Sequence, residues 1–119
     1  MREQEVPTKL FDREAAMARV GDDECLLVEL VRIFLDDYPN NVHSIEEALR
    51  NGDSPELEKA AHSLKGAVAN FGAEAVVKEA FELERLGRAG NLANATENLH
   101  RLHAALRQLD HELRPLATA

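Results

Sequence analysis

Apolar residues recur along this chain at intervals of three and four residues, which is the spacing of one face of a helix. The pattern is clearest near the C-terminus, at Leu92, Ala95, Leu99, Leu102, Leu106, Leu109 and Leu113. Alternating steps of three and four are typical of a helix packed nearly parallel or antiparallel to other helices. Pro115 is expected to end this helix.

The same spacing predicts helices upstream. Asp12 can cap a short helix over about 13–19. A longer helix follows Asp22 or Asp23, and Pro39 should kink or break it near Tyr38. A further helical piece leads to the turn at Asn51-Gly52-Asp53. Another helix covers about 74–88, and Gly87, Gly90 and Asn91 are expected to mark its end.

Four amphipathic helices with short connections, plus a short N-terminal helix, predict an all-α fold, an antiparallel four-helix bundle. A chain of 119 residues suits one compact domain. We expect the bundle domain over residues 11–115. Residues 1–10 are polar and contain Pro7, and they predict a flexible N-terminal tail.

The helix between Ser54 and Gly72 has the clearest end signals. Ser54 is the expected N-cap, Pro55 suits the first helical position, and Gly72 suits the C-terminal stop. On a wheel of about 100° per residue, His62 lies opposite the apolar stripe. That stripe consists of Leu57, Ala60, Ala61, Leu64, Ala67, Val68 and Phe71. The pattern therefore predicts that His62 projects into solvent.

Small and basic residues share the helix face of His62. Gly66, Ala69 and Ala73 would form a flat floor, and Lys59 and Lys65 lie one turn away on either side. Glycine within a helix costs on the order of 1 kcal/mol relative to alanine. A close approach by another molecule would give Gly66 a physical reason. An ordinary surface histidine remains the alternative interpretation of His62.

Composition narrows the function classes. The hydrophobic fraction of 45% argues against disorder, and the net charge of -8 argues against nucleic-acid binding. No apolar run is long enough to span a membrane, and the N-terminus lacks the apolar core of a signal peptide. We expect a soluble, cytoplasmic protein. The one cysteine, Cys25, is expected to be a small buried residue.

The stretch Ala-His-Ser-Leu-Lys-Gly from residue 61, followed by Ala-Val-Ala-Asn-Phe-Gly-Ala, resembles the signature of histidine-containing phosphotransfer (HPt) domains. The resemblance extends from about Leu10 to about Leu113. In that family the signature histidine is phosphorylated, which implies His62 as the phosphoacceptor. It also implies that Lys65 neutralises phosphoryl charge and that Gly66 flanks the site. From their positions we add Lys59, Ala69, Asn70 and Ala73 as residues that dock the partner. Asn70 would either orient the ring or help end the helix.

The resemblance implies a phosphorelay intermediate. It would accept a phosphoryl group from an aspartyl-phosphate receiver domain and pass it to another receiver. The implied partners are response regulator receiver domains and a sensor or hybrid histidine kinase. Such a protein is a stoichiometric carrier and not an enzyme. We expect a monomer with no cofactor and no metal of its own, and magnesium on the partner receiver domain.

Three alternatives compete with the relay. The same exposed patch could bind a signalling partner without phosphorylation. A dimerisation module of a histidine kinase also presents a histidine on a helix, but 119 residues leave no room for an ATP-binding domain. Glu97-x-x-His100 matches half of a di-iron motif, and no second pair is evident. Solvent-facing histidines are therefore favoured over a metal site at His43, His100, His103 and His111.

Overall fold

The computed structural model describes residues 9–118 and consists of five helices. They are α1 (Arg13–Arg19), α2 (Glu24–Asn51), α3 (Ser54–Ala69), α4 (Glu74–Ala89) and α5 (Ala95–Ala117). No strand occurs in this part of the chain. Most of the tail predicted for residues 1–10 lies outside the described residues.

The four longer helices form a closed ring of neighbours. α3 packs between α2 and α4, and α5 completes the ring by contacting both α4 and α2. Short connections join consecutive neighbours, and leucines at helical spacing fill the centre. This arrangement confirms the predicted all-α four-helix bundle with a short additional N-terminal helix.

The N-terminal segment closes one end of the bundle. The backbone N–H groups of Leu10 and Phe11 donate to the Glu112 carboxylate on α5, and the Asp12 N–H donates to the Phe71 carbonyl. Gly72 adopts a φ of +61°, which favours glycine, and a Cβ there would lie 2.8 Å from the Asp12 Cβ. The turn after α3 is therefore built to lie against the start of α1.

Neither proline ends a helix, so the break predicted near Tyr38 and the stop predicted at Pro115 do not occur. α2 continues through Pro39, and α5 continues through Pro115 to Ala117. Buried residues on both sides of Pro39, including Phe34 and Ile45, hold α2 against the core. Tertiary packing outweighs the one hydrogen bond that a proline removes.

Two local predictions also need correction. Asp53, and not Ser54, is the N-cap of α3, because its side chain accepts the Glu56 N–H. The cap therefore lies one residue earlier than predicted. Cys25 is exposed, since it lies in the first turn of α2 away from the apolar face. Within residues 9–118, no helix is both long enough and apolar enough to cross a membrane.

Candidate functional site

His62 projects from the middle of α3 into solvent, as its position on the wheel predicts. Its side chain is 67% exposed, whereas Leu57, Leu64 and Val68 on the opposite face are fully buried. The amphipathic pattern of α3 therefore fixes which way the imidazole points.

Glu84 of α4 contacts the His62 ring from the buried side. The Nδ1 atom of His62 lies 3.0 Å from the Glu84 Oε2 atom, and the glutamate side chain is only 5% exposed. Gly87 permits this close approach of the two helices. A Cβ at position 87 would lie 2.7 Å from the Glu58 backbone nitrogen and 3.0 Å from the Ser54 carbonyl oxygen. Gly90, and not Gly87, ends α4.

Lys65 shares the same carboxylate. Its Nζ atom lies 2.7 Å from the Glu84 Oε1 atom and 5.1 Å from the centre of the Phe81 ring. The Lys65 side chain is 26% exposed, so it is not a freely solvated surface lysine. An ammonium group has three N–H donors, and one carboxylate oxygen does not use all of them. Lys65 is thus held beside His62 with donor capacity to spare.

Arg88 completes the charge cluster on the α4 side. Its Nη2 atom donates to the Glu84 Oε2 atom at 3.0 Å, and its Nε atom donates to the Glu58 Oε2 atom at 2.8 Å. Glu84 therefore meets two cations and one imidazole, which offset the cost of burying its charge.

The charge state of Glu84 determines the tautomer of His62. Burial by itself would raise the pKa of Glu84, but hydrogen bonding and charge from Lys65 and His62 hold that pKa below its ordinary value. The carboxylate is therefore ionised at neutral pH and can only accept hydrogen bonds. The His62 Nδ1 atom must then carry the proton, which leaves a lone pair on Nε2.

The residues predicted to surround His62 on the surface agree only in part with the structure. Gly66 is exposed, and a Cβ there would meet nothing within 4 Å. Ala69 is partly buried and Lys59 is exposed. Asn70 is the C-cap residue of α3, and Glu84, on the neighbouring helix, is the residue that contacts the ring.

Ala73 does not belong to this surface. It is fully buried, so its side chain cannot contact a docked partner. The wheel placed it beside His62 by continuing α3 beyond its last residue, Ala69. The chain instead turns at Gly72 and enters α4, which directs Ala73 into the core.

The other histidines lie elsewhere. His100 and His111 are exposed on α5, and the His103 Nε2 atom lies 3.2 Å from the Glu46 Oε2 atom on α2. Among residues 9–118 there is no group of three or more His, Cys, Asp or Glu side chains arranged to hold a metal ion.

Besides Arg88, the sequence prediction missed Glu84 as a site residue. Glu84 lies 22 residues after His62, so no local spacing connects the two. A usable signal exists on α4 itself. Glu84 occupies the buried stripe between Leu83 and Gly87, where a carboxylate is unexpected unless it is paired.

The model of the Hpt domain matches residues 29–112, which is more than half of the chain. The chain belongs to the Hpt domain family. Members of this family are phosphotransfer carriers that work with receiver domains and histidine kinases. This Hpt domain accordingly has a phosphotransfer role in two-component signalling.

A solved structure has the same fold. Histidine-containing phosphotransfer protein B (HptB) from Pseudomonas aeruginosa PAO1 superposes with a TM-score of 0.85 at 24% sequence identity. The superposition covers 96% of this chain and 97% of that chain. Comparison with curated protein sequences gave no significant match.

Proposed function

We propose that His62 of this Hpt domain accepts a phosphoryl group from an aspartyl-phosphate receiver domain and passes it to another receiver. The observation that supports this most directly is the hydrogen bond between His62 Nδ1 and Glu84. It fixes the ring while leaving the side chain 67% exposed. An imidazole that is held at one nitrogen and open at the other is an oriented nucleophile.

The lone pair of His62 Nε2 attacks phosphorus, the Nε2–P bond forms, and the P–O bond to the receiver aspartate breaks. The aspartate leaves as a carboxylate. His62 keeps its proton on Nδ1, and the resulting imidazolium lies against the ionised Glu84. Transfer to a second receiver is the reverse step, in which His62 leaves as neutral imidazole.

Lys65 supplies the positive charge for the phosphoryl oxygens in this proposal. Glu84 holds its ammonium group near His62, so little ordering is needed when the phosphoryl group arrives. Phosphoryl transfer depends on alignment and charge neutralisation more than on acid–base chemistry. Lys59, Gly66, Ala69 and Asn70 would contact the receiver, which also supplies the magnesium ion. The chain acts as a monomeric carrier without a cofactor of its own.

Substitution of His62 tests the proposal. Receiver domains phosphorylated with a small-molecule donor are mixed with the wild-type chain or with His62→Gln, and labelled phosphate is followed on each protein. We expect an acid-labile, base-stable phosphate on the wild type and none on the variant. His100→Gln is the matched control, because His100 is exposed on α5, and it should accept phosphate normally.

Two outcomes would contradict the proposal. Labelling that survives His62→Gln would place the phosphoacceptor elsewhere. Binding of receivers without any phosphoryl acceptance by the wild type would favour an interaction module that is not phosphorylated. Circular dichroism of both variants should show an unchanged helix content, because both positions are exposed.

A further inference from the structure

Phe81 is an aromatic residue that the bundle leaves half in solvent. It is 45% exposed on α4, whereas Phe34 and Phe71 are buried in the core. Among residues 9–118, the other large exposed hydrophobic residues are Leu26 and Ile33, both on α2. Single exposed apolar residues are common in folded proteins, so the exposure of Phe81 is informative only together with its surroundings.

The surroundings of Phe81 are those of the phosphoacceptor. The Phe81 ring lies 5.1 Å from the Nζ atom of Lys65, which in turn contacts Glu84, the residue that holds His62. Phe81 also lies three residues before Glu84, on the same side of α4. The ring thus forms the α4 edge of the surface around His62, a position that the α3 residues considered above do not cover.

Leu26 is farther away, whereas Ile33 lines a groove with Ala67 and Asn70 at the C-terminal end of α3. Both α2 residues precede Phe34, whose ring packs 5.2 Å from that of Phe71, beyond the C-terminal end of α3. α3 runs seven residues from His62 to its end at Ala69, which corresponds to roughly 10 Å at a rise of about 1.5 Å per residue, and Phe71 lies beyond that end. Leu26 lies about 12 Å farther along α2 by the same measure.

The size of a stable interface decides which of these residues a partner must cover. A specific complex buries about 800 Å² on each partner, a patch with a radius of roughly 16 Å. A receiver centred on His62 would cover Phe81 and leave Leu26 outside. Aromatic residues near the centre of an interface contribute most to affinity, because their burial removes a large apolar area from water.

We propose that Phe81 is an anchor of the receiver interface, buried on docking against an apolar side chain that the receiver presents beside its aspartyl phosphate. This inference rests on the proposed function and extends it. The docking surface spans α3 and α4, and Phe81 selects receivers by the apolar residue that they offer. Lys65, stacked on the ring, supplies charge at the same edge.

The experiment compares two truncations of nearly equal exposure. Phe81→Ala removes the proposed anchor, and Leu26→Ala removes a residue that is 44% exposed outside the footprint. Two phosphoryl donors are used with each variant. One is a panel of phosphorylated receiver domains, which must dock. The other is phosphoramidate, which transfers its phosphoryl group to imidazole with loss of ammonia and needs no docking surface.

We expect Phe81→Ala to lower the receiver-driven rate constant at subsaturating receiver by about tenfold or more, as for a central aromatic anchor. Leu26→Ala should match the wild type. Phosphoramidate should label His62 equally in all three proteins, since His62, Glu84 and the ion pair between Glu84 and Lys65 are untouched. Phe81→Leu should recover most of the receiver-driven rate, because it keeps apolar area but loses the aromatic ring.

The outcomes separate the two proposals. If no receiver labels the wild type, the proposed function fails, and the docking inference fails with it. If receivers label the wild type and Phe81→Ala reacts as fast as Leu26→Ala, only the docking inference is wrong. A matching loss with phosphoramidate would show that Phe81 acts through Lys65 and His62 and not through docking, which also overturns the inference.

Discussion

The exposed face of α3 that carries His62 can be compared with the packing that supports it. Both regions contain a glycine and a glutamate, and these residues serve different purposes in the two regions. Each region has a glycine inside a helix, Gly66 on the face and Gly87 at the crossing of α3 and α4. A Cβ at Gly66 would meet nothing within 4 Å, whereas a Cβ at Gly87 would lie 2.7 Å from the Glu58 backbone nitrogen. The fold itself therefore explains Gly87, and it leaves Gly66 to be explained by something outside the chain.

The glutamate carboxylates of the two regions differ in the groups that they bind. Glu112 accepts hydrogen bonds from the backbone N–H groups of Leu10 and Phe11, which join the N-terminal segment to α5. Glu84 meets the side chains of His62 and Lys65, which reach solvent. A carboxylate that holds backbone groups fastens the structure, whereas one that holds exposed side chains orients groups that can react.

Gly66→Leu should have the largest effect, because it should slow phosphoryl transfer without destabilising the fold. The leucine side chain would stand on the open surface beside His62 and keep a receiver from its working distance. Misplacement of reacting groups by about 1 Å can cost on the order of 100-fold in rate, and we expect a loss of that size in receiver-driven transfer. Unfolding in urea should show a gain of about 0.5–1 kcal/mol, because leucine favours helix over glycine.

Gly66→Ala is the graded control for this prediction. Its single methyl group should slow transfer less than leucine does, with a similar gain in stability. Transfer by Gly66→Leu at the wild-type rate would mean that no partner approaches this part of α3, and the contrast between the two glycines would lose its functional meaning.

Gly87→Ala should give the opposite result. The new methyl group would lie 3.0 Å or less from backbone atoms of Glu58 and Ser54, so the two helices must move apart. Overpacking costs about 1–3 kcal/mol, which is set against a gain of about 1 kcal/mol in helix propensity. We expect a net loss of up to about 2 kcal/mol in the free energy of unfolding, measured in urea. A more stable Gly87→Ala would show that the crossing is not close-packed.

These contrasts also show which features of the fold and of the site can be predicted from the sequence. Apolar spacing predicts the helices, and the wheel predicts the exposure of His62, because both depend on residues close together in one helix. Glu84 was missed because its contact with His62 depends on how α4 lies against α3. Ala73 was misplaced because the wheel assumes that a helix continues. The continuous path of α2 through Pro39 depends on packing against the rest of the bundle, which no local rule contains.

Glu112→Gln tests the fastening role of the second carboxylate. Burial by itself would raise the pKa of Glu112, but hydrogen bonds from Phe11, Leu10 and Gln108 hold that pKa below its ordinary value of 4.5. A lowered pKa stabilises the fold at neutral pH, and this contribution is lost as the pH falls below 4.5 through the folded-state pKa. We expect Glu112→Gln to lower the free energy of unfolding by about 1 kcal/mol at pH 7, since a neutral amide accepts weaker hydrogen bonds than a carboxylate.

Acid titration supplies the control for Glu112. The difference between wild type and Glu112→Gln should shrink as the pH falls toward 3, because the wild-type carboxyl is then protonated as well. Glu82→Gln should have no measurable effect at either pH, since Glu82 pairs with Arg85 in solvent. An equal loss from both substitutions would show that Glu112 is no more than a surface charge.

The smallest effect concerns Tyr38, which joins α2 to α5 in the supporting region. Its hydroxyl donates to the Asp110 Oδ2 atom at 2.5 Å. Burial first, and then the hydrogen bond and charge of Asp110, raise the pKa of Tyr38 to about 12. The raised pKa means that the neutral phenol stabilises the fold below pH 10, and that this contribution disappears as the pH rises toward 12.

The chain has one tyrosine and no tryptophan, so absorbance at the tyrosinate band reports Tyr38 alone. We expect no transition near pH 10 while circular dichroism shows intact helices, and Asp110→Asn should move the midpoint down toward 10. Ionisation of Tyr38 near pH 10 in the folded protein would mean that water reaches the contact between α2 and α5. In that case the region that supports the site would be as open as the face that carries His62, and the distinction between them would fail.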